Sequence, residues 1–494
     1  MIARLVWASF RQRPGRSLLL LSGYALGVGV TIVLLSVGGA LVEQAQDKEL
    51  VGGGDLVVLP AGIDLETLKT GGASSMYFSI EQASLMYREV LAGSRFQDRV
   101  AAAVPWIDDE LLYIEADSGL VPVSAAGTIP SLAERLDVAP ALIAGTWADL
   151  VADRRWRDPT DAELYRALDA LHMPRGSAAR DSTWAEWHYF NVLLPDTGWL
   201  YLTYMIAGEI PDGRWGGRML ATLVQPGRAE RTFLAEVGQD EVDFVEGQPE
   251  LRIGPSSVTL ESDGSYRLVA RIPSGTGGLP LNLDLTVSAR SRRYLPPVDI
   301  SGEGLVSGYT VPLLDAGAAG QLCEGSRCQA LDGARTYHDH NWGTWSGVTW
   351  DWGQALVGGY SVLYGGVSSH AGLDADGEPA GDDRAGGAAG PRILYLADDN
   401  GYAGIFPIRR LTTQWPDGDR QAAPESISIL ATSGTDSLEL TVTVGHTRAT
   451  PVPVGINSPT ALFFQMRGAA TLEGRLRGSL VSATGDGFFE TWTR

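Results

Sequence analysis

From Asp181 to the C-terminus, apolar residues and strand formers such as Val, Thr, Trp and Tyr recur with polar ones in short runs, most of them bounded by Gly, Pro or Asp. Successive side chains of a strand point to opposite faces, so these runs predict half-buried strands joined by tight turns. The first set of runs covers 184–192, 198–208, 218–225, 231–237, 251–253, 256–261, 266–272 and 281–290. The second covers 356–367, 392–397, 405–411, 426–431, 437–445, 461–466, 472–476 and 485–492. The spacing predicts a mainly β protein with two antiparallel barrels or sandwiches in tandem, residues 181–335 and 336–494. Between them in character is 368–391, rich in Gly, Ala and Asp, which reads as a mobile solvated loop.

Ahead of residue 181 the pattern is different. Residues 17–42 carry no charge, and Arg4, Arg11, Arg13 and Arg16 precede them with no acidic residue. At 1.5 Å per residue such a run spans about 39 Å, more than a hydrocarbon core of ~30 Å. It predicts one transmembrane helix with the basic tail 1–16 in the cytoplasm and the body outside, the alternative being a cleaved signal peptide, whose apolar core would be shorter. Residues 43–135 read as a small α+β segment, with strands at 54–59, 100–104, 111–115 and 120–125 and a helix at 79–91. Residues 136–180 read as a helical linker. In it Thr160 caps a run of helical period through Leu168, and Pro174 to Ser177 ends the segment.

Charge narrows the function. The chain has 59 Asp plus Glu against 38 Lys plus Arg, which excludes a nucleic-acid footprint. The two cysteines, Cys323 and Cys328, flank a hairpin-like loop and can pair in an oxidising compartment. No phosphate loop, dinucleotide fingerprint, nucleophile elbow or HExxH helix is present.

Candidate chemistry concentrates in Tyr337, His338, Asp339, His340, Asn341 and Trp342, followed by Trp345, Trp350 and Trp352. Alternation places His338, His340 and Trp342 on one face, and Tyr337, Asp339 and Asn341 on the other. Imidazoles against an indole suit proton transfer. The same cluster also reads as a satisfied polar knot with no chemistry. Two histidines are too few for a closed metal site, so no metal and no cofactor are expected.

Two resemblances carry the reading further. Pro14, Arg16 to Leu18 and Gly23 to Val28 resemble the first helix of ABC-transporter permeases of the lipoprotein-release and macrolide-export type. That resemblance covers about residues 1–135. It implies permease or ATPase subunits as partners. Such permeases need three further spanning helices, and no apolar run long enough follows Val42, so a complete permease is excluded.

Glu186, Trp187, His188 and Tyr189, with Tyr337 to Gly343, resemble the group of hydroxyneurosporene synthases (carotenoid 1,2-hydratases) and AttH-like proteins. The resemblance covers about residues 181–494, with His188 where a second Trp is commoner. It implies two lipocalin-like barrels and a long apolar lipid, isoprenoid or polyene substrate. The chemistry implied is addition of water to a C=C bond, or hydrolysis. In that reading Asp339 donates the proton and His338 and His340 tune it or orient water. Trp342, Trp350 and Trp352 form walls. Glu186, Trp187, Tyr189, Tyr337 and Asn341 complete the ligand site. The alternative is a non-catalytic accessory subunit of an export system. The face carrying the histidines and Trp342 is the one expected to meet the ligand.

Overall fold

The computed structural model describes residues 14–15, 22, 28, 83–84, 86–91, 95, 99–116, 119–136, 148–172, 184–195, 198–209, 213–274, 278–302, 305–344, 348–369, 392–453 and 460–493. The chain divides into two compact units. Among the described residues, no helix is long and apolar enough to cross a membrane. The charge-free run 17–42 lies outside them except for Ser22 and Val28, as do the expected strand 54–59 and most of the loop 368–391.

The smaller unit takes in residues 102–150. Its strands Trp106–Ala116 and Gly119–Thr128 form an antiparallel hairpin, followed by the short helix Pro130–Arg135. That helix is tied to Asp149, which accepts from the backbone and hydroxyl of Ser131. The strand expected at 100–104 does not form. Pro105 has no N–H to give a ladder, and pairing starts one residue later at Trp106.

The larger unit is the β body, and it is mainly strand. Eight antiparallel strands running from Val348–Val357 to Ser479–Trp492 close into a barrel, the last pairing with the first. The other sheet has 13 strands and runs through Trp199–Glu209, Trp184–Leu193, Ala334–Thr344, Leu305–Glu324, Leu281–Ala289 and Tyr266–Ile272. It curls so that its two halves face each other across one apolar core. Leu200, Leu202 and Tyr204 from one half join Leu268, Leu283 and Leu285 from the other. The Tyr204 hydroxyl donates across that core to the Val269 carbonyl at 3.0 Å.

Three features differ from the alternation reading. The strand carrying His338 and His340, Ala334–Thr344, pairs with Trp184–Leu193 and Leu305–Glu324. It therefore sits mid-sheet in the first β body, and the barrel begins only at Val348 rather than at 336. The 20-residue strand Leu305–Glu324 and its partner Leu295–Gly302 lie where no strand was expected. Glycines conceal the longer one. Gly308 leaves room for the Trp342 indole, Gly320 (φ +138°) allows close approach of the Asp284 backbone, and two register shifts between Thr310 and Ala316 reset the alternation. Finally, part of the expected linker is core. The helix Asp161–Leu168 starts with a capping box between Thr160 and Glu163. It then buries Leu164, Tyr165 and Leu168 in the core of the curled sheet.

Candidate functional site

The strand Ala334–Thr344 is the hub because each of its faces meets a different set of partners. Its register against Trp184–Leu193 sets His340 opposite His188, Asp339 opposite Tyr189, His338 opposite Phe190 and Tyr337 opposite Asn191. With period-two alternation, His338, His340, His188 and Phe190 share the face inside the curled sheet. Tyr337, Asp339, Asn341, Tyr189 and Asn191 share the face toward the barrel.

On the inner face the imidazoles surround a carboxylate that the sequence did not single out. Asp169 follows the last turn of the helix Asp161–Leu168, and its backbone N–H bonds the Tyr165 carbonyl. A carboxylate at that end of a helix opposes the macrodipole, so it needs local compensation. His338 Nε2 lies 2.9 Å from Asp169 Oδ2, and His340 Nδ1 lies 3.0 Å from Oδ1. His340 Nε2 reaches Glu186 Oε1 at 2.9 Å, and Glu186 also accepts from the backbone N–H of His172 at 2.7 Å. Asp169, Glu186, His188, His338 and His340 are all at or near zero exposure.

Both partners of His340 are acceptors, so the ring carries two protons. Burial alone would lower its pKa, but the two carboxylates outweigh burial and push it up to about 9. The same contacts act in reverse on the acids. Burial opposes ionisation of Asp169, yet His338 and His188 hold it well below the usual carboxylate range. Burial likewise opposes ionisation of Glu186, and His172 and His340 bring it below its ordinary value. Burial drives His188 down toward the neutral ring.

The rings themselves are packed. His338 stacks on Phe190 at 4.0 Å and meets Tyr266 edge-on, while Trp342 stacks on His172 at 3.8 Å and stands edge-on to His340. The expectation that the histidine face borders a ligand cavity is therefore corrected. That face is filled by aromatic side chains and by the helix carrying Asp169. Two three-donor groups result: Asp169, His188 and His338, and His172, Glu186 and His340.

The opposite face meets the barrel in an aromatic seam. Tyr189, Tyr201, Tyr309 and Tyr337 from the curled sheet pack with Trp352, Tyr395 and Phe488 from the barrel. Asp339 sits in this seam at 2% exposure. Its Oδ2 is 3.0 Å from the Tyr337 hydroxyl and its Oδ1 accepts from Asn341 Nδ2 at 3.0 Å. The Tyr337 hydroxyl is 2.8 Å from that of Tyr309, which accepts from Trp352 Nε1 at 2.9 Å. Burial pushes the Asp339 carboxyl well above the usual carboxylate range, and the Tyr337 hydrogen bond only partly opposes this. A second acid, Glu490, accepts from Trp350 Nε1 at 2.9 Å and from Gln465 and Tyr189. Burial raises it too.

Beside the relay lies a recess of about 30 Å³ whose lining includes Tyr337, Asn191, Thr336, Arg335 and Gln354. Neither end of the buried Asn191 amide has a hydrogen-bond partner, and nor does the Thr336 hydroxyl. A polar space of this size accommodates a water molecule.

The structure thus separates residues that the family resemblance grouped in one site. Asp339, Tyr337, Asn341, Tyr189, Trp350 and Trp352 meet at the seam. His338, His340, Glu186 and Trp342 lie behind the sheet, away from Asp339. Trp187 is half-buried and packs at the margin of the seam. Tyr309, Glu490, Asn191 and Asp169 were missed; each is brought in from a distant part of the chain. Cys323 and Cys328 are disulfide-bonded across the hairpin of Leu305–Glu324 and Arg327–Ala330.

No protein-family model matches the sequence, and no curated protein does either. Among solved structures, the chain is similar to a putative AttH from Nitrosomonas europaea (15% identity, 66% of this chain and 97% of that chain, TM-score 0.42). It is also similar to kievitone hydratase from Nectria haematococca (13% identity, 66% and 94%, TM-score 0.38). A third similar structure is CghA with Sch210972 (12% identity, 66% and 94%, TM-score 0.43).

Proposed function

We propose that the seam between the curled sheet and the barrel binds an apolar, isoprenoid-like molecule and adds water to one of its C=C bonds. The observation that carries this reading is Asp339: a buried carboxyl without a cationic hydrogen-bond partner, linked through Tyr337 to Tyr309 inside an aromatic shell. Protonating an isolated alkene needs a strong acid held neutral in a dry place. The carbocation that follows needs electron-rich faces beside it, and Trp352, Tyr189 and Tyr337 supply them. The reaction also needs water, and the recess with the unpaired Asn191 amide fits that role.

The steps balance. Asp339 gives its proton to one alkene carbon, and the π pair forms the new C–H bond. Water bonds to the cationic carbon. Its surplus proton returns to Asp339 through the Tyr337 and Tyr309 hydroxyls. The recess holds water and no more, so the apolar chain enters by displacement of seam side chains.

Two measurements test this. Mass spectrometry of an organic extract of the purified protein identifies bound apolar molecules; the reading expects a polyene or polyprenyl compound. Tyr337→Phe removes the relay hydroxyl and keeps the ring. It should retain that ligand and lose turnover roughly 10²-fold or more, the size of a general acid–base contribution. Loss of binding with unchanged turnover per bound ligand would sink the relay.

The membrane tether belongs to the same proposal. It rests on the charge-free run 17–42 behind four arginines. In this account residues 1–135 hold the β body outside the membrane beside an ABC export system. Full-length protein should sediment with membranes, and a chain starting at residue 136 should not. If the truncated chain captures the same membrane partners, docking through this segment is wrong.

A further inference from the structure

The inner face of the hub strand poses a problem of charge that the seam chemistry does not touch. His338 Nδ1 lies 3.1 Å from the Tyr189 carbonyl oxygen, which can only accept, so Nδ1 carries the proton. Its other nitrogen, Nε2, is then a lone pair facing Asp169 Oδ2 at 2.9 Å. Two lone pairs at that distance repel unless a cation lies between them. The cation is either a second proton or a metal ion.

His188 distinguishes the two. Its Nδ1 makes only a loose ion pair with Asp169 Oδ1 at 3.4 Å, and its Nε2 has no hydrogen-bond partner. An imidazole at zero exposure with one nitrogen unpartnered and the other loosely paired is costly. A proton on His338 would satisfy one contact and leave His188 as it is. A metal would satisfy both.

We infer that Asp169, His188 and His338 form a site for a divalent transition-metal ion, Zn²⁺ being the first candidate. The three offer one carboxylate oxygen and two imidazole nitrogens, all buried and all within 4.8 Å of one another. A tetrahedral ion with bonds of 2.0–2.1 Å sets neighbouring donors roughly 3.3 Å apart, against 2.9 Å between His338 Nε2 and Asp169 Oδ2 and 3.4 Å between His188 Nδ1 and Asp169 Oδ1. The surroundings match what such ligands require. Tyr189 orients His338 through its second nitrogen, and His340 fixes Asp169 while anchoring its own far side on Glu186.

The site's position indicates a structural role. Asp169 comes from the helix that plugs the curled sheet, His188 from the strand Trp184–Leu193, and His338 from the hub strand. An ion would join three elements that are far apart in the chain. It would also hold His338 directly behind the strand that carries Asp339.

The test uses full-length protein prepared without a polyhistidine tag. Elemental analysis should find one equivalent of a transition metal per chain. Chelator treatment should lower Tm by ~5–10 °C, and Zn²⁺ should restore it. Co²⁺ loaded in place of Zn²⁺ should show visible bands characteristic of an ion held by imidazole and carboxylate donors. His188→Gln and His338→Gln should abolish those bands, while His172→Gln, outside the group, should keep them. If a variant fails to fold, X-ray absorption on the Co²⁺-loaded wild type decides, and two imidazoles with oxygen ligands are expected. The inference is overturned if the protein carries no metal and neither ion shifts Tm. It is equally overturned if His188→Gln folds and binds Co²⁺ as the wild type does. Either result leaves a proton-bridged network in its place.

Discussion

Gly308→Ala probes the packing behind the hub strand with the smallest possible change. Gly308 pairs with Trp342 across the sheet. A Cβ on Gly308 would lie 2.0 Å from Trp342 Cε2, 2.1 Å from Cζ2 and 2.4 Å from Nε1. These are ring atoms on a rigid side chain. Restoring ordinary contact needs a ring displacement of about 1.5 Å, since carbon atoms pack at ~3.5 Å. The indole cannot move alone, because it stacks on His172 and stands edge-on to His340, which in turn bonds Asp169 and Glu186. Overpacking of this kind costs roughly 1–3 kcal/mol. For a body of this size that is a fall in Tm of ~1–4 °C. Gly238→Ala is the control: its φ is −73° and an added Cβ meets nothing within 4 Å. It should stay within about 0.5 kcal/mol of wild type. Thermal unfolding followed by near-UV circular dichroism reads both stability and the indole environment. If the two variants melt together and Gly308→Ala keeps the wild-type near-UV spectrum, the described seat of Trp342 is wrong.

Two further outcomes follow from the structure. Burial raises the folded-state pKa of Glu490, so below its unfolded value, near 4.5, both states are protonated and it costs nothing. As pH rises past that value the unfolded chain ionises first and stability is lost, so Glu490→Gln should gain on wild type between pH 4 and pH 7; a pH-independent difference in urea denaturation would refute this. Thr160→Ala removes the capping box of the helix that delivers Asp169 and should cost about 1 kcal/mol by the same denaturation assay; no change in midpoint would mean the cap is not formed in solution.

The hub strand shows what alternation reveals and what it hides. Period two alone separates His338, His340 and Trp342 from Tyr337, Asp339 and Asn341, and the strand divides them that way. What each face meets is a matter of tertiary structure. Asp169 sits between Leu168 and Ala170 at the end of a segment of helical period, and nothing local connects it with histidines 169 and 171 positions away. Tyr309 lies on a strand whose glycines and register shifts erase the pattern. Glu490 is brought to the seam by closure of the barrel, which short strands suggest but do not align. The capping box at Thr160 was legible because capping is local. The role of that helix as core was not, because a linker and a plug share the same helical period.

Isotope tracing of the oxygen atom tests the central claim most directly. Wild-type protein and Asp339→Asn would each be given the apolar molecule that co-purifies, in water enriched in ¹⁸O, and the products weighed by mass spectrometry. The account predicts that wild type yields an alcohol carrying the heavy oxygen on a former alkene carbon, and that Asp339→Asn binds the molecule but forms product at least about 10²-fold more slowly. Equal labelling by both proteins, or binding by wild type with no labelled product, would contradict it.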